Sequence, residues 1–331
     1  MGDLDNHMKN KDNYKLSFVI PCYRSENTIG IVIDEIESTV AKRPEYDYEI
    51  ILINDCSPDN VWKVISELSN KNDHIIGINL SKNFGQHAAL LAGYNHCSGD
   101  IVVSLDDDGQ TPACDVFKLI DKLDEGYDMV NASYPQQKQK LYRRLGSDLA
   151  RKMSNYMFDI KDDSKDNGSS FFVAKRFIID EIIRYKNPYP YMGGLLLRTT
   201  RNIGHVLVEH RSRIEGKSGY SFKSLVSLWM NGFTAFSVKP LQLGTYVGFF
   251  ASLCGILFAI ITVVRKLWIN PNLEAGWSST ISVILFVGGI IMMMLGLIGE
   301  YVGRIYICIN NSPQYVIKEM TGYKKVEDKD E

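Results

Sequence analysis

The sequence predicts an α/β fold with a doubly wound, mostly parallel sheet, followed by interfacial amphipathic helices and a hairpin of two transmembrane helices. Two observations predict the sheet: short apolar runs alternate with stretches of helical length, and each run ends in polar residues. Such alternation is typical of βαβ units around a parallel sheet. A third observation predicts the hairpin, because the last third of the chain holds two long segments almost free of charge.

The predicted strands and helices follow one another over the first hundred residues. The strands are 16–20, 48–54, 75–80 and 101–105, and the helices are 28–40, 60–70 and 86–97. The polar residues after each strand should converge, because carboxyl ends of parallel strands lie at one edge of a sheet and form its ligand crevice. The chain contains neither a GxGxxG nor a GxxxxGK[ST] pattern, so neither a dinucleotide turn nor a P-loop is predicted.

Two apolar segments, 241–264 and 278–302, are long enough to cross about 30 Å of hydrocarbon. Their glycines are typical of helix packing in membranes, and a pair of buried core helices is the alternative. Basic residues at the outer ends outnumber Arg265 and Lys266 in the connection, which places both chain termini in the cytoplasm. A multi-pass protein of the inner or plasma membrane is therefore expected.

Composition narrows the function classes. A net charge of -2 over 331 residues argues against a general nucleic-acid binder. The six cysteines include no CxxC pair, which favours reduced structural thiols over a disulfide framework or a zinc site. Residues 1–15 are polar and contain no apolar stretch typical of a secretory signal. We expect most of the protein to stay in the cytoplasm.

A cluster of acids follows the fourth predicted strand. Asp106, Asp107 and Asp108 come directly after a buried strand, and Gln110 follows before the chain breaks at Pro112. Mg2+ and Mn2+ prefer carboxylate and carbonyl oxygens and keep positions open for substrate phosphates. Asp106, Asp108 and Gln110 are therefore candidate ligands of a divalent metal that holds a diphosphate, and a solvated turn is the alternative.

Several short motifs occur in a fixed order along the chain. They are Ile20-Pro-Cys-Tyr23, Asn54-Asp55-Cys-Ser57-Pro-Asp59, Leu80-Ser-Lys-Asn83-Phe-Gly85-Gln-His-Ala88, Ser98-Gly-Asp100, the 106–112 segment and Arg213-Ile-Glu-Gly216-Lys-Ser218-Gly-Tyr220. In order and spacing, the first five of these motifs resemble those of family-2 glycosyltransferases with a GT-A fold. The Arg213 motif, followed by two membrane helices, looks like the polyprenyl-phosphate subgroup, which includes dolichyl-phosphate mannose synthases and bacterial undecaprenyl-phosphate glucosyl and aminoarabinosyl transferases.

The resemblance implies a metal-dependent, inverting transfer of one sugar from a nucleotide-sugar to a polyprenyl phosphate, for modification of cell-envelope glycans. UDP and undecaprenyl phosphate are the expected nucleotide and acceptor, with GDP as the alternative nucleotide. The implied catalytic residues are Asp106, Asp108 and Arg213. The implied nucleotide-sugar contacts are Pro21, Tyr23, Asp55 and Asp106, and the implied ligands of Mg2+ or Mn2+ are Asp106, Asp108 and Gln110. For Asp55, a contribution to the N-cap of the following helix is the alternative.

Basic residues ahead of the membrane segments are candidates for the acceptor phosphate, because arginine forks and a Gly-rich turn suit phosphate oxygens. The candidates are Arg143, Arg144, Arg211, Arg213, Lys217 and Ser218. A solvated helix face is the alternative for the first two, and a positively charged cytoplasmic flank is the alternative for the others. A lipid phosphate has a second pKa of about 6, so it is anionic at neutral pH and no general base is assigned.

Two departures from the family pattern stand out. Thr111 occupies a position where many relatives have aspartate, and Ala113 replaces a second proline. Residues 169–172 contain no arginine where the pattern runs toward one, so that contact is absent or is replaced by Lys175 or Arg176.

The domain prediction has five parts. They are a polar tail at 1–15, a cytosolic GT-A catalytic domain at 16–215, a juxtamembrane amphipathic region at 216–240, the transmembrane helices within 241–303, and a cytosolic tail at 304–331. The expected partners are a nucleotide-sugar, a polyprenyl phosphate and the lipid bilayer, without nucleic acid. A homo-oligomer is also expected, because tetramers occur among similar proteins.

Two other functions remain open. A sugar-polymerising synthase of the same superfamily usually carries a Gln-x-x-Arg-Trp segment, and none of the four tryptophans here follows an arginine. A non-catalytic membrane scaffold with the same fold is the other alternative.

Overall fold

The computed structural model describes residues 14–134, 169–188, 190–209, 211, 239–264, 268, 276–310 and 312–322. These residues form two compact units. One unit holds the described residues up to 211 together with 312–322, and the other holds the long helices between them.

A mixed sheet organises the first unit. Its strands are β1 (Lys15–Cys22), β2 (Asp47–Asn54), β3 (Ile75–Leu80), β4 (Ile101–Ser104), β5 (Met129–Ser133), β6 (Phe172–Lys175), β7 (Ile203–Leu207) and β8 (Ile317–Thr321). They lie in the order β7-β5-β6-β4-β1-β2-β3-β8. Strands β1 to β4 are parallel, as are β5 and β7, whereas β6 runs antiparallel to both its neighbours and β8 runs antiparallel to β3.

Helices cover both faces of this sheet. They are α1 (Ile29–Val40), α2 (Val61–Lys71), α3 (Gln86–Tyr94), α4 (Val116–Leu123), α5 (Arg176–Ile183) and α6 (Met192–Thr199). Alternate residues of β1, such as Leu16 and Phe18, pack into one core with α1, α2 and α4. Helix α3 contacts β1 and β2, and α5 contacts β4, β6, α3 and α6. Burial on both faces explains why the central strands read as continuous apolar runs. The predicted α/β fold is confirmed and is consistent with a GT-A fold.

The predicted helix 86–97 ends earlier, at Tyr94. Asn95 takes the C-cap position, and the following loop passes close to β1. A Cβ atom on Gly99 would lie 2.5 Å from Ser17 Oγ and 2.7 Å from the carbonyl oxygen of Lys15. This close approach fixes where the chain leaves the helix, because only glycine fits against the β1 backbone here.

The second unit contains two long helices, α7 (Lys239–Val264) and α8 (Trp277–Ile309). Within α8, the 24 residues Phe286–Ile309 are long and apolar enough to cross a membrane, and α7 contains the shorter apolar stretch Gly244–Phe258. A Cβ atom on Gly244 would lie 2.4 Å from Met294 Sδ, so the two helices approach closely at this glycine. The predicted juxtamembrane amphipathic region at 216–240 lies outside the described residues, except for 239 and 240, which belong to α7.

After α8 the chain returns to the first unit. Strand β8 pairs with β3, and Ser69 and Thr321 share a hydroxyl hydrogen bond of 2.9 Å. Gln314 Nε2 donates to the carbonyl oxygens of Tyr185 and Asn187 at 2.8 and 2.6 Å. The segments before and after the helical hairpin therefore belong to one body. The sequence pattern predicted only a tail from residue 304, whereas the structure shows helix to Ile309 and then this strand.

Candidate functional site

The loops that follow β1, β2, β3 and β4 meet at the carboxyl edge of the sheet. The N–H of Asp55 donates to the carbonyl oxygen of Cys22 at 3.1 Å, and the N–H of Tyr23 donates to Asp107 Oδ2 at 2.8 Å. Gln86 Nε2, at the start of α3, donates to Asp106 Oδ1 at 3.0 Å. The predicted convergence of these loops on one crevice is thus present in the structure.

Asp55 anchors the loop that leads into α3. Its carboxylate accepts the N–H groups of Phe84 at 2.7 Å and Gly85 at 2.8 Å, and its carbonyl oxygen accepts Asn83 Nδ2 at 3.2 Å. Burial raises the pKa of Asp55, and the two N–H donors counteract only part of that rise. Gly85 has a φ of 90°, a conformation that favours glycine. The predicted contact of Asp55 with a nucleobase stays a prediction, and Asn60, not Asp55, takes the N-cap position of α2.

Asp107 is a structural residue that the motif analysis did not single out. Its carboxylate accepts the Tyr23 N–H, and its carbonyl oxygen accepts Thr28 Oγ1 at 2.6 Å. Burial raises the pKa of Asp107 to about 6. No pattern in the sequence of this loop distinguishes Asp107 from its two acidic neighbours.

Asp106, Asp108 and Gln110 lie together in the loop after β4. Asp106 accepts Gln86 Nε2 on one oxygen and the Ser170 hydroxyl on the other. Asp108 Oδ1 accepts the N–H of Gln110 at 3.0 Å, and Gly109 between them has a φ of 69°. Gln110 Nε2 donates to the carbonyl oxygen of Arg211 at 3.3 Å, which turns the amide oxygen away from that carbonyl.

This donor set suits a divalent cation. Two carboxylates and an amide oxygen are hard oxygen ligands, and Mg2+ usually takes few of these from protein and completes its shell with water and substrate phosphate. Among the residues that the structure describes, no group of three or more histidine, cysteine or acidic side chains forms a ready metal cage. The residues therefore fit a metal that is bound together with a diphosphate.

Arg211 is the acceptor-phosphate candidate that the structure describes, and it lies beside the acidic loop. Its N–H donates to the carbonyl oxygen of Gln110 at 3.3 Å. Its guanidinium binds both carboxylate oxygens of Glu35 on α1, at 3.0 and 2.9 Å, and donates to Cys114 Sγ at 3.4 Å. The other candidates lie outside the described residues: Arg143, Arg144, Arg213, Lys217 and Ser218.

The departures from the family pattern have local explanations. Ser170, in the segment that lacks an arginine, contacts Asp106 directly. Thr111 is buried and hydrogen bonds with Tyr134, whose pKa is raised by its own burial. Lys175 pairs in register with Ile101, and the N–H of Arg176 donates to the carbonyl oxygen of Asp100. Both lie at the opposite end of β4 from Asp106, so neither replaces the missing contact.

His87 and Tyr191 form a second, half-buried group near the start of α3. Their rings meet edge to face, with centroids 5.4 Å apart. Desolvation lowers the pKa of His87 to about 4, so the imidazole is neutral at pH 7.

Comparison with known protein families shows to which family the chain belongs. The model of glycosyl transferase family 2 matches residues 17–183, half of the chain, and the model of the GtrB C-terminal hairpin matches residues 239–305. The chain belongs to glycosyltransferase family 2. The resemblance predicted from the motifs is confirmed, and this family-2 protein is an enzyme that transfers glycosyl groups.

Full-length relatives support the same class for this family-2 glycosyltransferase. It is 33% identical over 315 residues to an undecaprenyl-phosphate 4-deoxy-4-formamido-L-arabinose transferase of Proteus mirabilis (strain HI4320), with 94% of this chain and 95% of the relative covered. It is 33% identical over 304 residues to the glycosyltransferase CsbB of Bacillus subtilis (strain 168), with 92% and 91% covered. Among solved structures, glucosyl-3-phosphoglycerate synthase of Mycobacterium tuberculosis with UDP gives a TM-score of 0.49 at 19% identity, covering 66% of this chain and 76% of that one.

Proposed function

We propose that this glycosyltransferase transfers one sugar, with inversion, from a UDP-sugar to undecaprenyl phosphate in the presence of Mg2+ or Mn2+. The observation that carries the proposal is the loop after β4, where Asp106, Asp108 and Gln110 lie at the edge on which the strand-end loops converge. The match over 94% of the chain to a relative named for undecaprenyl phosphate supports the acceptor.

On the donor side, Pro21, Tyr23 and Asp55 would bind the nucleotide, and Asp106, Asp108 and Gln110 would hold the metal. The bound cation would stabilise the charge of the leaving nucleoside diphosphate. Gln86 and Ser170 orient the Asp106 carboxylate by donating to its two oxygens. The Tyr23 N–H donates to the Asp107 carboxylate, and this bond joins the loop after β1, which would bind the nucleotide, to the loop after β4, which would hold the metal.

On the acceptor side, the lipid phosphate would bind to arginines, with Arg211 already placed beside Gln110. The attacking phosphate oxygen is anionic at neutral pH, so the chain needs to orient it and screen its charge rather than remove a proton. His87, which is neutral at pH 7, is not assigned a proton-transfer role. Arg143, Arg144, Arg213, Lys217 and Ser218 complete the proposed acceptor set.

The two long helices would anchor the enzyme in the inner or plasma membrane as a hairpin. The chain before α7 and after α8 belongs to one unit, which supports an even number of crossings. The excess of lysine and arginine in the outer flanks supports a cytoplasmic catalytic unit with both termini on the same side. Undecaprenyl phosphate, whose head group lies at the bilayer surface, would then meet the acceptor arginines at that surface.

The test is transfer of label from a panel of radiolabelled UDP- and GDP-sugars into undecaprenyl phosphate by the purified full-length protein. We expect a lipid-linked monosaccharide from one donor, formed with Mg2+ or Mn2+ and abolished by EDTA. Asp108→Ala should reduce the rate about a thousandfold, since a metal at the leaving group contributes several kcal/mol of transition-state stabilisation. Asp34→Ala, which removes an exposed acid of α1, is the matched control and should leave the rate unchanged.

Failure of the folded wild-type protein to form a lipid product from any donor would contradict the proposal and favour the polymerase or scaffold alternative. Equal rates with EDTA and with metal would contradict the metal assignment alone.

A further inference from the structure

Three polar side chains lie side by side across β2, β3 and β8. The strand register pairs Asn54 with Asn79, and Asn79 with Glu319. Asn54 Nδ2 donates to Asn79 Oδ1 at 2.8 Å, and Asn79 Nδ2 donates to Glu319 Oε1 at 2.7 Å. Both asparagines are buried, so each amide depends on these partners for its hydrogen bonds. We call this row of three side chains the amide ladder.

The ends of the amide ladder fix its direction. A carboxylate can only accept hydrogen bonds, so Glu319 requires Asn79 to present its amide nitrogen. At the other end, Asn54 Oδ1 accepts the N–H of Ser57 at 3.0 Å, and a backbone N–H can only donate. Each asparagine therefore has one orientation that satisfies both neighbours. A side chain without an acceptor oxygen at position 319 would leave the buried Asn79 amide nitrogen without this partner.

The ladder ends at the two loops to which the proposed function assigns the nucleotide. Ser57 Oγ accepts the N–H of Arg24 at 2.8 Å, which links the loop after β2 to the loop after β1. Cys56 and Arg24 have φ values of 49° and 59°, in the left-handed region that non-glycine residues rarely adopt. Such conformations persist where surrounding contacts hold them. The bonds of Ser57 hold both loops at these positions.

We propose that Glu319 is a positioning residue for the donor: through Asn79 and Asn54 it fixes the loops at Cys56 and Arg24 that form the nucleotide end of the site. Glu319 comes from the strand that follows the membrane hairpin, 240 residues along the chain from Asn79. The donor site thus depends on the last strand of the sheet as well as on the first four. The inference rests on the proposed function for the identity of the ligand.

The experiment compares UDP binding by full-length variants, measured by isothermal titration calorimetry with Mn2+. Glu319→Lys replaces the acceptor with a donor and should weaken UDP binding about tenfold, because it leaves a buried amide mismatched. Glu319→Gln keeps an acceptor oxygen and should bind UDP within about twofold of wild type. Lys318→Gln, which changes the neighbouring exposed residue of the same strand, is the matched control and should bind like wild type.

A second substitution and a kinetic measurement distinguish a positioning role of Glu319 from loss of the fold. Asn79→Ala interrupts the ladder in its middle while the Ser69–Thr321 and Gln314 contacts of the C-terminal segment remain, and it should weaken UDP binding as much as Glu319→Lys. In both variants the KM for the donor should rise about tenfold with kcat within about twofold, since the metal loop is untouched.

Three outcomes would overturn the inference. Wild-type UDP affinity in both Glu319→Lys and Asn79→Ala would show that the ladder does not act on the donor. Equal weakening in Glu319→Gln and Glu319→Lys would show that the direction of the ladder is irrelevant. Absence of UDP binding by the wild-type protein would overturn the proposed function as well, whereas the first two outcomes leave that function intact.

Discussion

Acidic side chains at the two ends of the sheet have different partners for their carboxylates. At the amino end, buried Glu49 accepts the hydroxyl of Ser17 at 2.6 Å and the N–H and hydroxyl of Ser98 at 2.6 and 2.9 Å, and it binds Lys15 Nζ at 2.7 Å. Burial alone raises the pKa of Glu49, but the bonds from Lys15, Ser17 and Ser98 outweigh it and lower the pKa.

At the carboxyl end, Asp55 is buried and Asp107 is half-buried, and their carboxylates accept backbone N–H groups and form no ion pair within the part of the chain that the structure describes. Burial raises the pKa of both. The amino end carries its own counter-charge, whereas the carboxyl end concentrates negative charge next to Asp106 and Asp108. The comparison therefore separates a carboxylate with an ion-pair partner from carboxylates held by backbone N–H groups, whose charge the cation of the proposed function would compensate.

The largest expected effect on stability comes from replacing Glu49 at the amino end of the sheet. Glu49→Gln removes the counter-charge of Lys15 and turns an amide donor toward the ammonium, so we expect a loss of about 2 kcal/mol of stability. This corresponds to a melting temperature lower by roughly 4–8 °C in detergent. Differential scanning fluorimetry measures it, with Glu67→Gln on the exposed face of α2 as the control.

The effect of pH on Glu49 follows from the same contacts. Because its folded pKa is lowered, its contribution is present above its unfolded pKa and is lost as the pH falls through the folded value. The stability difference between wild type and Glu49→Gln should therefore shrink in acid. A difference that grew below pH 4 would contradict the assigned network.

A pH-dependent effect, small near neutral pH, is expected from His87, the half-buried imidazole at the carboxyl end. Its folded pKa of about 4 lies below the ordinary 6.5, so the unfolded chain binds more protons between these values. Stability should rise with pH across that window, by at most about 1.4 kcal/mol per pH unit, and level off above it. His87→Phe, which keeps the contact with Tyr191, should flatten this slope in melting curves recorded from pH 4 to 8. An unchanged slope would assign the acid sensitivity to other groups.

The smallest expected effect on the melting temperature comes from replacing Asp107 at the carboxyl end of the sheet. Asp107→Asn keeps an oxygen for the Tyr23 N–H and removes a half-buried charge that forms no ion pair with the described residues, so the melting temperature should change by less than about 2 °C at pH 8 without metal. The direction should be toward stabilisation. A loss as large as that of Glu49→Gln would show that both ends of the sheet rely on their charges for stability in the same way.

The sequence predicted β1 to β4 and α1 to α3 because each is encoded by a short local pattern of apolar residues and a polar boundary. It also placed Asp106, Asp108 and Gln110 in one loop, since they are adjacent in the chain. Strand β8 was not predicted, because Ile317–Thr321 is short and carries charges, and its pairing partner lies far away in the chain. An isolated five-residue strand has no local signal that distinguishes it from a tail.

Ser170 and Asp107, which the sequence analysis did not single out, also have partners that are far away in the chain. Ser170 contacts Asp106 across 64 positions of sequence, and Asp107 contacts Tyr23 across 84. Neither pair is visible in a local window, because the mixed sheet brings the two members of each pair together only after the strands have assembled.

Strand β8 has a consequence for how the protein is made. Synthesis proceeds from the amino terminus, so β3 emerges from the ribosome long before its outer neighbour exists. The edge of β3 stays unpaired, and Asn79 lacks its carboxylate partner, until the two long helices and then β8 have been translated. Pairing at this edge of the sheet can therefore be completed only after both long helices have been translated, which makes completion of the first unit a late event in the biogenesis of the chain.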